Sequence, residues 1–359
     1  MTPSSRVRAF DWLRGGAVLV MIETHALVLL RPALRAGSFY SVIQWIDGLV
    51  APAFILAAGF SLALTQVRAA AGDARAQADA GDARAAGDAR RARFLKTLRR
   101  IGEVLAVATL VNWMWFPIFR EPRWILRVDI LQCIGLSLLI ALPFIFLLAP
   151  RPKALQAAGL LGAALVFGLS PLAEHVGPPL AGILNRSTGA PFPLLPWGGS
   201  VYLGAAIGAA GTAGGKKAIA AWLLGLAALG VLLWLLTPQI SGLYPPHDFW
   251  VTDPTNHARR WTQVCLIALL LLGLEAAGMR GGRPVRFVEV FGTSSLAGYF
   301  FHQMLLYFHL FGFSFEKFWG DRCSWPQFWA LLALLIAMTF ALTVATDAVY
   351  QRINARGKA

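Results

Sequence analysis

The apolar run Ala17-Val18-Leu19-Val20-Met21-Ile22 leads directly into Glu23, Thr24 and His25. A titratable group in hydrocarbon is costly, and where one is kept it commonly serves a pathway or a reaction. An imidazole titrates near neutrality, so His25 can take the proton from an attacking hydroxyl or amine, or carry an acyl group transiently. The bland alternative is a histidine hydrogen-bonded between packed helices. Before the run stand Asp11 and Arg14, one helical turn apart. They can pair and hold the start of the helix, or Arg14 can grip phosphate through its guanidinium fork. Asp47 opens the next apolar segment. It is either an acid favoured at a helix N-terminus or the group that orients the His25 imidazole and stabilises its protonated form.

Further along, Arg127, Asp129 and Gln132 precede a long apolar stretch. Arg127 and Asp129 are two apart and face different sides of a regular helix, whereas Gln132 supplies an amide able to hold an acceptor or polarise an acyl carbonyl. Tyr299 and His302, three apart, share one helix face. Trp197 sits in the segment Pro193–Gly199 that opens another apolar run. The six histidines are scattered and the three cysteines show no ligand spacing, so no metal site is expected; Cys133, Cys265 and Cys323 read as packing residues.

The elements that must hold these groups are membrane helices. The chain has 359 residues, 57% hydrophobic and only 14% charged, and its mean hydropathy is +0.60, far from the balance of a soluble domain. Apolar runs of about 19 residues, enough to cross hydrocarbon as a helix, can be drawn about ten times. They begin near Trp12, Ile43, Leu98, Ile130, Ala154, Leu194, Ala218, Trp261, Phe291 and Phe328. The fold class is therefore all-α: a single membrane-embedded domain over 1–359. A net charge of +14 would suggest nucleic acid in a soluble protein, but here it is read against the membrane, and no nucleic acid partner is expected. With a cytoplasmic N-terminus, 22 of the 32 Lys and Arg fall on the inner side, Arg6, Arg8 and Arg14 among them. This satisfies the positive-inside rule and predicts both termini in the cytoplasm. Residues 1–8 lack the apolar core of a removable signal peptide, so the first span is expected to stay. Within 66–97, Ala71 to Arg93 repeats a unit like Gly-Asp-Ala-Arg-Ala, starting at Gly72, Gly81 and Gly87. Having no apolar face, it is expected to be a solvated cytoplasmic linker, partly helical at most. Three irregular outer stretches, 31–40, 171–193 and 238–260, remain; the proline and aromatics of the last read either as an ordered outer cap or as an aromatic belt with turn chemistry.

Taken together, these segments resemble those of the transmembrane acyltransferases. Asp11-Trp12-Leu13-Arg14-Gly15-Gly16-Ala17, followed by Met21 and His25, resembles the D-x-L-R-G-x-A and M-x-x-x-H opening of that superfamily. Ala51-Pro52-Ala53-Phe54 through Gly59, Ser61 and Leu62 is similar to its second-span segment, and Ile130-Leu131-Gln132-Cys133-Ile134-Gly135-Leu136 to its I-L-Q-x-I-G-L motif. Pro193–Gly199 is similar to the P-F-P-x-x-P-W segment, and Gly292 to His302 to the G-x-x-S-L-x-x-Y-x-x-H segment. The likeness is to the heparan-alpha-glucosaminide N-acetyltransferase-like family, with one departure. That family is known for a catalytic histidine just before the acidic residue of span two, yet 31–46 contains none; His25 instead matches the acyltransferase-3 placement. The resemblance implies transfer of an acyl group, acetyl being expected, from cytosolic acyl-CoA to a hydroxyl or amine of a sugar-like acceptor at the outer face. His25 and Asp47 would be catalytic. Arg127, Asp129, Gln132, Trp197, Tyr299 and His302 would bind substrate, and Arg6, Arg8 and Arg14 would attract the donor's phosphates. Location in a bacterial inner membrane among lipids, with room for a homo-oligomer, goes with this reading. The opposing class is a transporter or lipid-handling protein in which Glu23, His25 and Asp47 line a path. Glu23, on a different face from His25, and Glu103 in the third span suit that class better than the enzyme.

Overall fold

The computed structural model describes residues 6–80, 83–115, 127–187, 189–279, 282–308 and 312–356. The repeat glycine Gly81, Arg280 and Lys358 lie outside the described residues. Helices follow one another as α1 (Arg8–Ala26), α2 (Ser38–Asp47), α3 (Val50–Ala80), α4 (Ala83–Trp115), α5 (Ile130–Leu148), α6 (Pro152–Ala173), α7 (Ala181–Leu184), α8 (Leu194–Trp197), α9 (Gly199–Leu235), α10 (Thr237–Ser241), α11 (Pro254–Ala276), α12 (Arg283–Thr293), α13 (Ser295–Tyr307), α14 (Phe315–Trp319) and α15 (Trp325–Arg356). Among the described residues the fold is all-helical, with a single isolated bridge between Leu30 and Cys323. Each span start read from the sequence falls in a helix. Among the described residues, six stretches are long and apolar enough to cross a membrane: Arg8–Leu29, Ser38–Gln77, Ile130–Leu148, Pro152–Ala173, Gly214–Leu235 and Trp325–Ile353.

Two compact units divide the chain. The first comprises residues 1–53 and 270–359. Its centre is α1, which packs on α12, α13 and α15. The approach to α12 is close because both helices present glycine: a Cβ on Gly15 would collide with the Val288 carbonyl, and one on Gly292 with the Asp11 carbonyl. Phe287, Phe291 and Phe340 close the α12–α15 seam with ring centroids 4.7 to 5.7 Å apart. Between α12 and α13 the helix breaks at Ser294, whose hydroxyl donates to Asp347.

The second unit comprises residues 54–269, with α6 lying along α9 and α4 along α5. Helix α3 meets α9 through backbone contacts at Gly59, Gly204 and Gly208, where Cβ atoms would overlap carbonyls of the facing helix. Helix α9 is broken at Gly215, whose φ of +60° only glycine adopts without strain, and its second half, Gly214–Leu235, is a candidate membrane span. Helix α5 starts with a capping box, Asp129 at the N-cap and Gln132 reaching back to the Asp129 N–H at 3.1 Å.

One expectation is corrected here. The segment 66–97 is helical on both sides of Gly81 and Asp82, forming the end of α3 and the beginning of α4. Alanine has the most favourable helix propensity of any residue, and the Ala-rich repeat uses it even without an apolar face. Arg93 reaches across to the Asp73 carboxylate, with one contact at 3.0 Å. Phe94 packs edge-on to Phe146 of α5. Glu103 is exposed and accepts from Arg99 Nε one turn earlier at 3.1 Å, so it is an ordinary helix ion pair and adds nothing to an intramembrane path.

Candidate active site

In the first unit, the last turn of α1 brings His25 against α13. His25 Nδ1 lies 2.9 Å from His302 Nε2, and the two rings stack with centroids 5.0 Å apart. The other nitrogen of His302, Nδ1, is 2.9 Å from the Gly298 carbonyl, which can only accept. His302 therefore carries its proton on Nδ1 and presents a lone pair at Nε2. When His25 Nδ1 donates to that lone pair, the His25 lone pair falls on Nε2, 3.4 Å from the Gln303 amide nitrogen. That is the tautomer a general base requires.

Two further groups fix the pair. The Gln303 amide nitrogen donates to the His302 Nε2 lone pair at 3.0 Å and stands 3.2 Å and 3.4 Å from the two ring nitrogens of His25. The Tyr307 hydroxyl donates to the His25 carbonyl at 3.1 Å, and its ring meets the His25 imidazole edge-on. Tyr299 packs edge-on to His302 at 5.5 Å. Tyr299, Gln303 and Tyr307 recur every four residues, with His302 beside them, so a single face of α13 carries the whole constellation. His302 is fully buried, as are Tyr299 and Gln303 within a few per cent.

The acids near α1 have separate tasks. Asp47 accepts from Gln44 Nε2 at 3.2 Å and faces Thr24 and Glu23. Glu23 Oε1 and Asp47 Oδ1 are both buried without a hydrogen-bond partner. At the other end of α1, Asp11 is buried and gripped twice, by Arg6 Nε and by Arg14 Nη2, each at 2.6 Å. Glu289 of α12 accepts from Trp12 Nε1 at 3.0 Å and has Arg8 at 3.9 Å. The three arginines expected to attract donor phosphates are thus held on carboxylates, with Arg14 Nε buried and unpartnered.

The remaining residues named from the sequence belong to the second unit. The Arg127 carbonyl accepts from Asn112 Nδ2 at 2.9 Å, which ties α4 to the start of α5. Asp129 and Gln132 form the capping box, so the Gln132 carbonyl oxygen already has a structural duty. Trp197 packs edge-on to Phe192 and to His257, and the Arg260 guanidinium lies 5.3 Å over its ring. In the cap, His247 Nε2 is 2.9 Å from the Asp253 carboxylate, which also accepts from Ser241 and Thr255. Among the described residues no group of three or more His, Cys, Asp or Glu converges as a metal would need.

With this geometry in view, the match to known proteins is specific. Residues 6–240 match the heparan-alpha-glucosaminide N-acetyltransferase catalytic family. The chain belongs to that family. No curated protein matches it significantly. The matched segment contains His25, Asp47, Arg127, Asp129, Gln132 and Trp197, while Tyr299, His302, Gln303 and Tyr307 lie beyond it. Sequence reasoning missed Gln303, Tyr307 and Glu289. For the first two the available signal was the four-residue recurrence from Tyr299; for Glu289 it was its place on α12, the helix whose glycine meets α1.

Proposed function

We propose that this membrane acyltransferase moves an acyl group, acetyl by preference, from cytosolic acyl-CoA to a hydroxyl or amine of a sugar-like acceptor at the outer face of a bacterial inner membrane. The observation that carries the reading is the His25–His302 pair, stacked and 2.9 Å apart, in which His302 presents its Nε2 lone pair to His25. In the reaction, the acceptor O–H or N–H gives its proton to His25 Nε2 as its heteroatom attacks the thioester carbonyl. The acceptor–acyl bond forms, the carbon–sulfur bond breaks, and the departing thiolate receives the proton back from the imidazolium. His302 holds the tautomer by accepting from His25 Nδ1, as the third member of a triad does for its base. Gln303 and Tyr299 fix the His302 ring. Asp47 acts through Glu23 and Thr24 on the segment that ends in His25. Arg14, with Arg6 and Arg8, raises the local concentration of the donor at the cytoplasmic mouth.

About ten spans with both termini inside complete the proposal, supported by the positive-inside partition of basic residues. The deciding experiment is transfer of labelled acetyl from acetyl-CoA to an aminosugar by the purified protein in detergent. A protein that neither transfers acetyl nor hydrolyses the thioester would refute the assignment. The facing carboxyls of Glu23 and Asp47 favour a second reading as a proton or cation path. Proton flux in proteoliposomes, lost in Glu23→Gln and kept in His25→Ala, would support that path instead.

A further inference from the structure

Between residues 90 and 100, on α4, the chain carries six basic residues, Arg90, Arg91, Arg93, Lys96, Arg99 and Arg100, and no acid. Arg93 is taken by Asp73, with one contact at 3.0 Å, and Arg99 by Glu103 at 3.1 Å. Arg90 and Arg91 form no ion pair among the described residues. Arg90 Nη2 instead donates to the Phe146 carbonyl of α5 at 2.7 Å. That carbonyl lacks a donor in its own helix, because residue 150 is a proline with no N–H. The bond sets the guanidinium where the apolar span Ile130–Leu148 stops, with its remaining N–H groups available to a ligand. Two recesses meet at Arg90. One, of about 340 Å³, reaches past the span to Ala149 and Pro150, and its polar lining is Gln66, Asp73, Gln77, Arg90 and Arg93. Gln66 is only 6% exposed, and among the described residues its amide has no hydrogen-bond partner. Arg93 Nε is also buried and unpartnered. The other recess, of about 440 Å³, lies alongside the span and is lined by Arg90 and Arg91 together with Phe94, Pro143, Phe146 and Leu147. Gly87 borders both, and nothing stands within 4 Å of a Cβ built on it.

A buried amide without a partner is costly unless a ligand or water meets it. Unpaired guanidiniums beside an apolar wall at the end of a span suit a molecule with an anionic head and a hydrocarbon tail. We propose that the two recesses together hold one anionic glycerophospholipid from the membrane leaflet on this side, with its phosphodiester on Arg90 and Arg91, its polar headgroup toward Gln66 and Gln77, and an acyl chain along Phe94, Pro143 and Leu147. The guanidinium fork matches a phosphate oxygen pair. Asp73 does not oppose the anion, because Arg93 neutralises it. A free phosphate would use the arginines and leave the apolar recess empty, and a zwitterionic lipid would bring its ammonium up to them. The site is independent of the acyltransferase reading, since it contains none of the residues assigned to that reaction.

The test is native mass spectrometry of the full-length protein in neutral detergent, titrated with phosphatidylglycerol or with phosphatidylcholine of the same acyl chains. The expected result is one retained phosphatidylglycerol, bound at least about tenfold more tightly than phosphatidylcholine. Arg91→Gln should weaken it about fivefold, and the double variant Arg90→Gln with Arg91→Gln should weaken it further. Arg91 is exposed and holds no other group in place, so its variant reads binding even if loss of Arg90 disturbs the end of α5. Gly87→Leu, whose added side chain has room to enter the recesses, should weaken phosphatidylglycerol comparably without lowering the melting temperature. Glycerol phosphate at the concentration of the lipid should displace none of it. Equal retention of the two lipids, undiminished binding by Arg91→Gln or by Gly87→Leu, or displacement by glycerol phosphate would overturn the proposal.

Discussion

Two regions of this protein bury a histidine against a partner, and the partners differ in kind. His25 meets another imidazole, itself locked by a backbone carbonyl, so a single ring nitrogen of His25 is engaged by that partner. His247 meets Asp253 at 2.9 Å, with its other nitrogen 2.8 Å from the Pro245 carbonyl. That arrangement uses both ring nitrogens as donors and favours a charged ring. An imidazole whose two nitrogens both donate is a strut; one that donates from a single nitrogen is a base. The comparison also separates the surroundings. The cap holds its histidine with a carboxylate and a backbone carbonyl oxygen, whereas α13 holds His25 with another titratable ring, an amide and a phenol.

The largest expected effect comes from removing the base. His25→Ala should lower acetyl transfer at least about a hundredfold, the usual cost of losing a general base, with little change in melting temperature in detergent. Retention of more than about a tenth of the rate would reduce His25 to a strut. His302→Ala should cost about ten- to a hundredfold, since it removes the group that fixes the tautomer and leaves the reacting nitrogen in place. The double variant should be no slower than His25→Ala alone, because residues that act as a unit are not additive. Additive losses would mean that the two imidazoles act separately.

How much of this was legible in the sequence follows the range of the interactions. Helix positions were readable because apolar run length is local, whereas the equally local capping box of Asp129 with Gln132 reads from the sequence as substrate binding. Asp11 with Arg14 was readable as a pair because three residues on a helix is contact distance. The addition of Arg6 to the same carboxylate was not, because it depends on how the chain enters α1. The joining of His25 to His302 spans 277 residues, and no local pattern encodes it. The motif around Tyr299 marked His302 as a candidate, but only packing of α1 on α13 made it a partner. In 66–97 two local signals disagreed: the absence of an apolar face argued for a linker, and alanine propensity argued for helix, which prevailed.

Within α1, adjacent glycines give a sharper contrast between a packing role and an access role. A side chain on Gly15 would overlap the Val288 carbonyl, whereas nothing lies within 4 Å of a Cβ on Gly16. Gly15→Leu should therefore destabilise the protein by about 1–3 kcal/mol or more, as overpacking does, and this would appear as a lower melting temperature. Gly16→Leu should leave melting unchanged. If the pantetheine arm of the donor passes this face of α1, it should also lower transfer at least about tenfold without altering acceptor binding. Ordinary activity in Gly16→Leu would remove that face from the donor's route.

The smallest effect is expected at His247, and it tests whether the cap histidine is a strut. Burial alone would lower its pKa, but the hydrogen bond to Asp253, the Pro245 carbonyl and the charges of Asp253 and Glu174 outweigh burial and raise it above the ordinary 6.5. Burial acts to raise the Asp253 pKa, and the Ser241, Thr255 and His247 hydrogen bonds overcome it, so the carboxyl titrates below its ordinary 3.8. A histidine with a raised folded-state pKa contributes stability that is complete below 6.5 and is lost as pH rises through the folded value; an acid with a lowered pKa contributes stability that is complete above 3.8 and is lost on acidification. The pair is therefore strongest in the mildly acidic window between those limits. Melting temperature should fall modestly as pH is raised from about 6 to about 8.5, and the His247→Gln variant should lose that part of the slope while keeping acetyl transfer. A slope unchanged by the substitution would show that the cap does not depend on a charged His247, and the contrast with His25 would then rest on the base alone.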